Sequence, residues 1–382
     1  MTVAAAESAA VTQAPRLDRP FFLAAMLATA LLVALILVDA QWAAAALVLL
    51  GFALGVAFLK FEFSFTAAWR RFIMRGQADG LLSGLLLIAV AATVIVPITA
   101  LVPGFGGAIA PLGPSLLLGA FVFGIGMQLA NGCGSGTLYT AGGGSGRMLI
   151  TLAFFIVGSV IGSLHLPAFL ALGGIDPVLA SNYFGAWGGL AVTLASLAAA
   201  AALIVAVARR RGANPWPGRK LIAGATVIGV LSIAVFVAGG HPWSVTFGFV
   251  LWGGKIATAF GFDLSGTEFW QWPGTKHALA NSVLSDTSSL TDFGMILGAM
   301  AAAATRRPFA RAGWPPMASL AAAAIGGLLM GWGARLGFGC NIGAFVGGVA
   351  SGSLHGWIWF AAALAGCSMG IRARPLFGLS RE

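Results

Sequence analysis

The chain has 382 residues, of which 59% are hydrophobic and 8% are charged, and its formal net charge at pH 7 is +10. Soluble domains carry about 25% charged residues, so this composition excludes a soluble enzyme and a disordered chain. The positive residues form short clusters between apolar stretches, as in the loops of membrane proteins, and this pattern excludes a nucleic-acid-binding protein.

The predicted elements are membrane helices. Residues 1–19 are polar, lack the pattern of a secretory signal and are expected to form a disordered tail. Each later apolar stretch is close to the ~20 residues that a helix needs to cross a bilayer. None of them alternates apolar and polar residues as a membrane β-strand would, so the predicted fold is all-α. The stretches are 21–38, 42–59, 80–102, 115–130, 148–166, 184–208, 221–239, 243–260, 289–304, 317–336 and 353–371.

Clusters of arginine and lysine predict which loops face the cytoplasm, because positive residues are enriched on that side. All clusters and both chain termini are expected there, provided that 243–260 enters the membrane and returns on the periplasmic side, and that the glycine-rich segments after residues 130 and 336 complete a crossing. The clusters are Lys60 with Arg70, Arg71 and Arg75; Arg209–Arg211 with Arg219 and Lys220; Arg306 with Arg307 and Arg311; and Arg372 with Arg374.

Two segments of the chain match each other in the same register. GAFVFGIGMQLANGCGSGTLY begins at Gly119, and GGLLMGWGARLGFGCNIGAFV begins at Gly326. Both contain Gly-Cys-x-x-Gly, which aligns Cys133 with Cys340. The charge clusters start the first copy from the periplasm and the second from the cytoplasm, which predicts an inverted repeat with a substrate site at its broken helices.

The repeat predicts how the chain is organised. The predicted parts are a tail at 1–19, a first membrane repeat with an extra N-terminal helix at 20–180, a linking helix at 181–212, the second, inverted repeat at 213–376, and a C-terminal tail at 377–382. A weaker match upstream aligns Ser64 and Thr66 with Ser244 and Thr246. These residues are expected at the two mouths of one axis.

The glycine-rich segments around both cysteines are predicted to interrupt helices, because each glycine costs a helix roughly 1 kcal/mol relative to alanine. Unwound backbone is tolerated in a bilayer only where protein or water satisfies its polar groups. The released N–H groups and the helix N-termini that follow can bind an anion. Scattered glycines such as Gly158 and Gly162 are instead expected to pack helices together. The residues expected to line the path are Cys133, Cys340, Gly132, Gly134, Ser135, Gly136, Gly339, Asn341, Gly343, Ser64, Thr66, Thr246 and Arg335.

Thiols are soft and polarisable, so a pair of them facing each other suits a sulfur-containing anion better than a strongly hydrated ion. Arg335 lies in an apolar stretch, where a charge indicates function, although its charged end could instead reach the membrane interface. No carboxylate is expected inside a span, since Asp286 and Asp292 fall in or just after the polar loop before residue 289. The four histidines, which include His355, are expected at the interface, and Cys367 is expected to be a packing residue.

Three functions remain open on these residues: a permease for a sulfur anion, a membrane thiol enzyme that forms a persulfide or disulfide, and a soft-metal transporter. The thiol enzyme needs a cation beside one cysteine, and Arg335 is the nearby candidate. A metal transporter for copper(I) needs further cysteine or methionine ligands. The sequence requires no cofactor and no resident metal.

GCGSGTLYTAGGGSGR, GARLGFGCNIGAF and SGSLHGWIWF followed by RPLFGL resemble the YeeE/YedE sulfur-transport family, over about residues 50–376. The resemblance implies an hourglass-shaped permease of the bacterial inner membrane that takes up thiosulfate and has no enzymatic activity. It implies that Cys133 and Cys340 line the constriction and pass the ion along through S–H···S contacts. Ser64 stands where family members with three pathway cysteines carry the third one. A small cytoplasmic sulfur-carrier protein of the TusA type is implied as a partner.

Overall fold

The computed structural model describes residues 17–306 and 315–381. Within these ranges every regular element is a helix, and two isolated bridges, Leu112 with Ile175 and Leu179 with Ser353, tie loops together. The predicted all-α fold is therefore confirmed. The first 16 residues of the expected tail, together with Arg307 and Arg311, lie outside the described residues.

The helices follow the apolar stretches closely. In the first part of the chain they are α1 Arg19–Val38, α2 Trp42–Phe61, α3 Phe65–Arg75, α4 Asp79–Leu101, α5 Pro114–Ala130, α6 Gly134–Gly142, α7 Gly146–Leu170 and α8 Ala180–Arg210. They continue with α9 Arg219–Gly239, α10 Thr246–Ala259, α11 Glu268–Gln271, α12 Pro273–Ala280, a 3₁₀ turn Val283–Ser285, α13 Thr287–Ala304 and α14 Met317–Leu336. A π-helix Asn341–Val346 then leads directly into α15 Gly347–Ala350, and the chain continues with α16 Leu354–Ala373 and a 3₁₀ turn Arg374–Phe377.

Nine helical stretches among the described residues are long and apolar enough to cross a membrane. Leu27 on α1 and Leu203 on α8 expose 69% and 67% of their surface, which in a soluble protein would be an unfavourable apolar face. The protein is therefore a multi-pass membrane protein. The stretch predicted at 243–260 forms α10, which has 14 residues and is too short to cross alone.

The two matching segments interlock. α5 and α14 cross in opposite directions, because a Cβ on Gly119 would lie 2.2 Å from the Gly337 nitrogen, and one on Gly126 would lie 2.7 Å from the Gly326 carbonyl oxygen. α7 packs along α14, and α16 packs along α5. An antiparallel crossing of equivalent helices is the geometry that an inverted repeat requires. The residue bounds of the two repeats stay a prediction.

Glycines bring these helices into backbone contact. A Cβ on Gly158 of α7 would lie 2.3 Å from the Leu328 carbonyl oxygen, and one on Gly162 would lie 2.8 Å from the Arg335 Cβ. Small residues allow membrane helices to approach in this way. The packing role predicted for these two glycines is confirmed.

Candidate functional site

The chain interrupts its helices in the same way at both cysteines. Asn131 follows α5 and Phe338 follows α14 in the left-handed conformation, with φ of 64° and 60°. A glycine comes next, and Cys133 (φ −97°, ψ −168°) and Cys340 (φ −109°, ψ −166°) then begin the following helix as extended N-cap residues. Two helix breaks with the same backbone course thus occupy equivalent positions of the matching segments.

Each thiol caps the helix that it precedes. Cys133 Sγ accepts a hydrogen bond from the Gly136 N–H at 3.4 Å, and Cys340 Sγ accepts one from the Ile342 N–H at 3.4 Å. The Ser135 hydroxyl lies 3.5 Å from Cys133 Sγ. The two cysteines are only 2% and 0% exposed. Both sulfur atoms therefore lie inside the protein, at the positive ends of helices.

The two breaks lie against each other. A Cβ added to Gly134 would lie 2.9 Å from Cys340 Sγ and 3.5 Å from Thr246 Cγ2. A Cβ added to Gly343 would lie 3.5 Å from the Ser244 hydroxyl. The beginnings of α6, α10 and the π-helix consequently meet at one place, which we call the constriction. It comprises residues 132–136, 244–246 and 339–343.

Buried polar groups around the constriction have no partner in the described protein. Asn341, which aligns with Gly134, is 0% exposed, and neither its amide oxygen nor its amide nitrogen makes a hydrogen bond. The same holds for the hydroxyls of Thr66, Thr137 and Thr246. Such groups each cost about 1–3 kcal/mol, and a cluster of them needs an explanation. A polar ligand that supplies the missing hydrogen bonds is the physical reason that fits.

The start of α3 also lies beside the constriction. Ser64 is half-buried and caps α3 by accepting a hydrogen bond from the Ala67 N–H at 3.3 Å. The Tyr139 hydroxyl of α6 donates to the Phe63 carbonyl at 3.3 Å, which holds the two short helices together. Ser64 therefore has the same capping role as Cys133 and Cys340, with an oxygen in place of sulfur.

Three arginines surround the end of α5, on the Cys133 side of the constriction. Arg70 donates to the Asn131 side-chain oxygen at 2.7 Å, and Arg147 and Arg374 donate to backbone carbonyls near the same helix end at 2.7 and 2.6 Å. Cations at a helix C-terminus are favoured by the helix dipole. None of the three forms an ion pair with a described carboxylate, so the surroundings of this end of α5 are electropositive.

A cavity of about 190 Å³ lies on the Cys340 side, and Phe338, Ser115 and Asp176 form part of its wall. Phe338 precedes Cys340 by two residues. The cavity therefore lies near the start of α5, whereas the arginines lie at the other end of that helix.

Arg335 lies in the last turn of α14, five residues before Cys340 of the constriction. Its guanidinium group is 5.9 Å from the centre of the ring of Phe269, a residue of α11. The residue is 8% exposed, and its Nε has no hydrogen-bond partner among the described residues. It lies close enough to Cys340 for an electrostatic interaction.

Asp292 is the residue that sequence reasoning missed. It lies in α13 with 0% exposure, and neither carboxylate oxygen has a partner. A Cβ on Gly248 of α10 would lie 2.7 Å from Asp292 Oδ2. The expectation that no carboxylate lies inside the bundle is therefore wrong. The helical spacing of Asp292 with the buried Met295 and Ala299 was the signal that could have revealed it.

Two further residues have clear positions. His355 is 1% exposed, and its Nδ1 lies 2.8 Å from the Ser353 hydroxyl, so it is enclosed by protein, and its place at the membrane interface stays a prediction. Its ring fits against Gly348, where a Cβ would lie 2.7 Å from the imidazole. Cys367 is fully buried where α16 packs on α5, and its backbone nitrogen would lie 2.9 Å from a Cβ on Gly124. This position agrees with a packing role.

Comparison with known proteins is consistent with this arrangement. Residues 60–369 match the model of the family described as sulphur transport. The chain is 35% identical over 150 residues to the Escherichia coli protein described as "probable transporter YedE". The aligned residues are 38% of this chain and 35% of that protein. The Salmonella typhimurium protein of the same name is 34% identical over 150 residues. The chain thus spans about a third of the length of these YedE relatives.

A third relative is matched over more of its length. It is the thiosulfate transporter TsuA of Spirochaeta thermophila, to which the chain is 30% identical over 263 residues. The match covers 63% of this chain and 72% of the relative.

Proposed function

This chain belongs to the sulphur transport family, and we propose that it is a permease that imports thiosulfate or a related sulfur-containing anion through the constriction at Cys133 and Cys340. The observation that carries the proposal is the meeting of two helix breaks that each present a buried thiol. Unpartnered polar side chains surround them. Thiosulfate is placed first because the TsuA relative is named for it.

The chemistry of the constriction suits such an ion. Helix beginnings offer backbone N–H groups and a positive dipole, and thiols offer soft, polarisable contacts to a terminal sulfur atom. Asn341 and the unpartnered threonines can satisfy the oxyanion end. These groups are dipoles, so they hold the ion weakly enough for it to leave, as conduction requires.

The path in this proposal begins at the cavity beside Phe338. The ion passes Cys340 and then Cys133, and leaves past Ser64 and the arginines at the end of α5. The closed thiol pair, 2% and 0% exposed, means that the constriction must widen for each ion. Arginine-rich loops are cytoplasmic in this proposal, and the membrane is the bacterial inner membrane. A TusA-type carrier, implied by the family resemblance, would receive the ion at the arginine end.

Uptake of radiolabelled thiosulfate by proteoliposomes tests the proposal. In Cys133→Ala and Cys340→Ala the uptake rate is expected to fall by more than about tenfold, because each substitution removes a thiol that contacts the ion. Water or backbone groups can still cap the helix that follows. Cys367→Ala is the matched control, because this cysteine is equally buried but lies between α16 and α5. It is expected to keep uptake near the wild-type rate.

Folding of each variant is checked by its thermal unfolding in detergent. Uptake that persists in both constriction variants would exclude the cysteine path. A wild-type protein that ignores thiosulfate but takes up another sulfur oxyanion would keep the path and change the substrate.

A further inference from the structure

Asp292 is an unusual acidic residue for this fold. Among the residues that the structure describes, it is the one acidic residue that is buried, with 0% exposure. Its two oxygen atoms accept no hydrogen bond. The Oδ2 atom faces Gly248, two residues after Thr246 of the constriction, and would lie 2.7 Å from a Cβ there. A carboxyl group thus lies inside the bundle beside the proposed path.

An ionised carboxylate cannot remain in such a place without a partner. Moving it from water into apolar surroundings is so costly that the group takes up a proton or acquires a cation. Asp292 has no lysine, arginine or hydrogen-bond donor in contact among the described residues. Of these two, a proton can neutralise the Asp292 carboxylate without further coordinating groups.

Two titratable groups lie near enough to influence Asp292. Asp286 precedes α13, and its carboxylate accepts hydrogen bonds from the Ser289 N–H and hydroxyl, both at 2.7 Å. Burial raises the pKa of Asp286, although the bonds from Ser289 oppose that rise. Cys340 of the constriction interacts electrostatically with Asp292. Neither group supplies a positive charge.

The helices packed against α13 supply none either. On α10, Lys255 lies seven residues beyond Gly248 and donates to the Leu279 carbonyl at 2.8 Å. Lys60 lies in the last turn of α2. On α6, the Tyr139 hydroxyl is engaged with a backbone carbonyl.

α1 places its charged residues at its ends. Asp39 follows the helix at an exposed position. Arg19 begins the helix beside the far end of α13, since the neighbouring Asp18 N–H donates to the Ala304 carbonyl at 2.8 Å.

A bound proton would offset part of the negative charge that the transported ion carries across the membrane. A divalent sulfur oxyanion that enters a cell with a negative interior moves against the membrane potential. An ionised Asp292 would also repel the anion from the constriction, whereas a protonated one would not. Binding of the proton and of the anion must then favour each other to the same degree, because linkage is reciprocal.

We propose that Asp292 is a proton-binding site whose occupancy is coupled to binding of the sulfur anion at the constriction, so that the protein is a proton–anion symporter. The inference rests on the proposed permease function. One proton per divalent anion reduces the inward charge of each cycle from two negative charges to one. The proton is bound to one Asp292 oxygen while the anion occupies the constriction, and both leave on the cytoplasmic side.

The test compares two transport modes in proteoliposomes that contain wild type or Asp292→Asn. The asparagine is close in shape and permanently neutral, like the protonated acid. Exchange of labelled for unlabelled thiosulfate at equal pH on both sides is expected to continue in the variant. Accumulation driven by an acidic exterior is expected in wild type and lost, by about tenfold or more, in the variant. Asp286→Asn is the matched control and is expected to keep the pH-driven accumulation.

A second measurement does not depend on transport. Infrared spectra of the protein alone at neutral pH are expected to show a carboxylic-acid carbonyl band that disappears in Asp292→Asn. At an alkaline pH at which this band is lost from wild type, a pH-sensitive dye in weakly buffered detergent solution is expected to report uptake of up to one proton per wild-type molecule when thiosulfate is added, and none for Asp292→Asn.

Each result has a distinct meaning. Accumulation that follows the pH gradient equally in wild type and Asp292→Asn would overturn the inference, as would accumulation driven by sodium instead. Absence of any sulfur-anion exchange in wild type would instead defeat the permease proposal. The infrared band would then still decide whether Asp292 holds a proton, and its absence would overturn that assignment.

Discussion

Asn341 illustrates how a residue that we propose to bind the anion can weaken the fold. Its amide is fully buried, and neither of its polar atoms has a partner in the described protein. A buried amide without hydrogen bonds destabilises a fold by about 1–3 kcal/mol. An apolar side chain of similar size would therefore be more stable at this position. The amide fits the constriction because an anion's oxygen atoms can accept its N–H groups.

Replacing this residue separates the two effects. Asn341→Leu is expected to raise the thermal unfolding temperature in detergent, because an unsatisfied amide is removed without creating a large cavity. The same variant is expected to raise the KM for thiosulfate uptake by about tenfold, the equivalent of roughly 1.4 kcal/mol. Asn182→Leu, at an exposed position on α8, is the control and should change neither quantity. An Asn341→Leu protein with lower stability and normal uptake would contradict the assignment.

Sequence reasoning found the cysteine breaks but not Asp292, and the difference is physical. Helix breaking and capping depend on neighbours within a few residues, so the pattern around Cys133 and Cys340 could be interpreted locally. Whether Asp292 is buried depends on the side of α13 that meets α10. The contact of Arg335 with Phe269 likewise joins two helices, α14 and α11, that are distant in the sequence. Such contacts follow from tertiary packing, which no local pattern contains.

At the scale of elements, short helices that begin beside one another distinguish this fold from a simple bundle. α3, α6 and the π-helix all begin at a residue whose side chain accepts a backbone hydrogen bond, namely Ser64, Cys133 and Cys340. The helices that follow the two cysteines could be predicted from the glycine-rich breaks, whereas α3 falls between the predicted stretches 42–59 and 80–102 and was not predicted. The 14-residue length of α10 could not be predicted either, because polar residues after it belong to a loop that packs over the bundle.

The cap of α3 provides a test at this scale. Ser64→Ala removes the hydrogen bond to Ala67 and is expected to lower the free energy of unfolding by about 1 kcal/mol. Ser64→Cys keeps a capping atom and adds a third soft group beside the path. It is expected to increase the ratio of thiosulfate to sulfate uptake in proteoliposomes, because sulfate has no terminal sulfur atom. An unchanged ratio would place Ser64 outside the path.

For the whole molecule, the positive charges make a prediction about orientation. The loop between α7 and α8 is poor in arginine and lysine, whereas the loop between α8 and α9 follows Arg209 and Arg210. Cysteine introduced at the exposed Asp176 is therefore expected to react with a membrane-impermeant maleimide added to intact cells. Cysteine introduced at the exposed Asn214 should react only after the cells are opened. The reverse pattern would invert the proposed direction of the path.

The crossed packing of α5 with α16 and of α7 with α14 has a consequence for biosynthesis. When α7 leaves the ribosome, the backbone at Leu328 against which Gly158 will lie has not yet been made. The early helices must therefore remain only loosely associated in the membrane until translation is almost complete. A protein cut in the α8–α9 loop could regain its native form only if both fragments were present together, each supplying the helices that the other lacks.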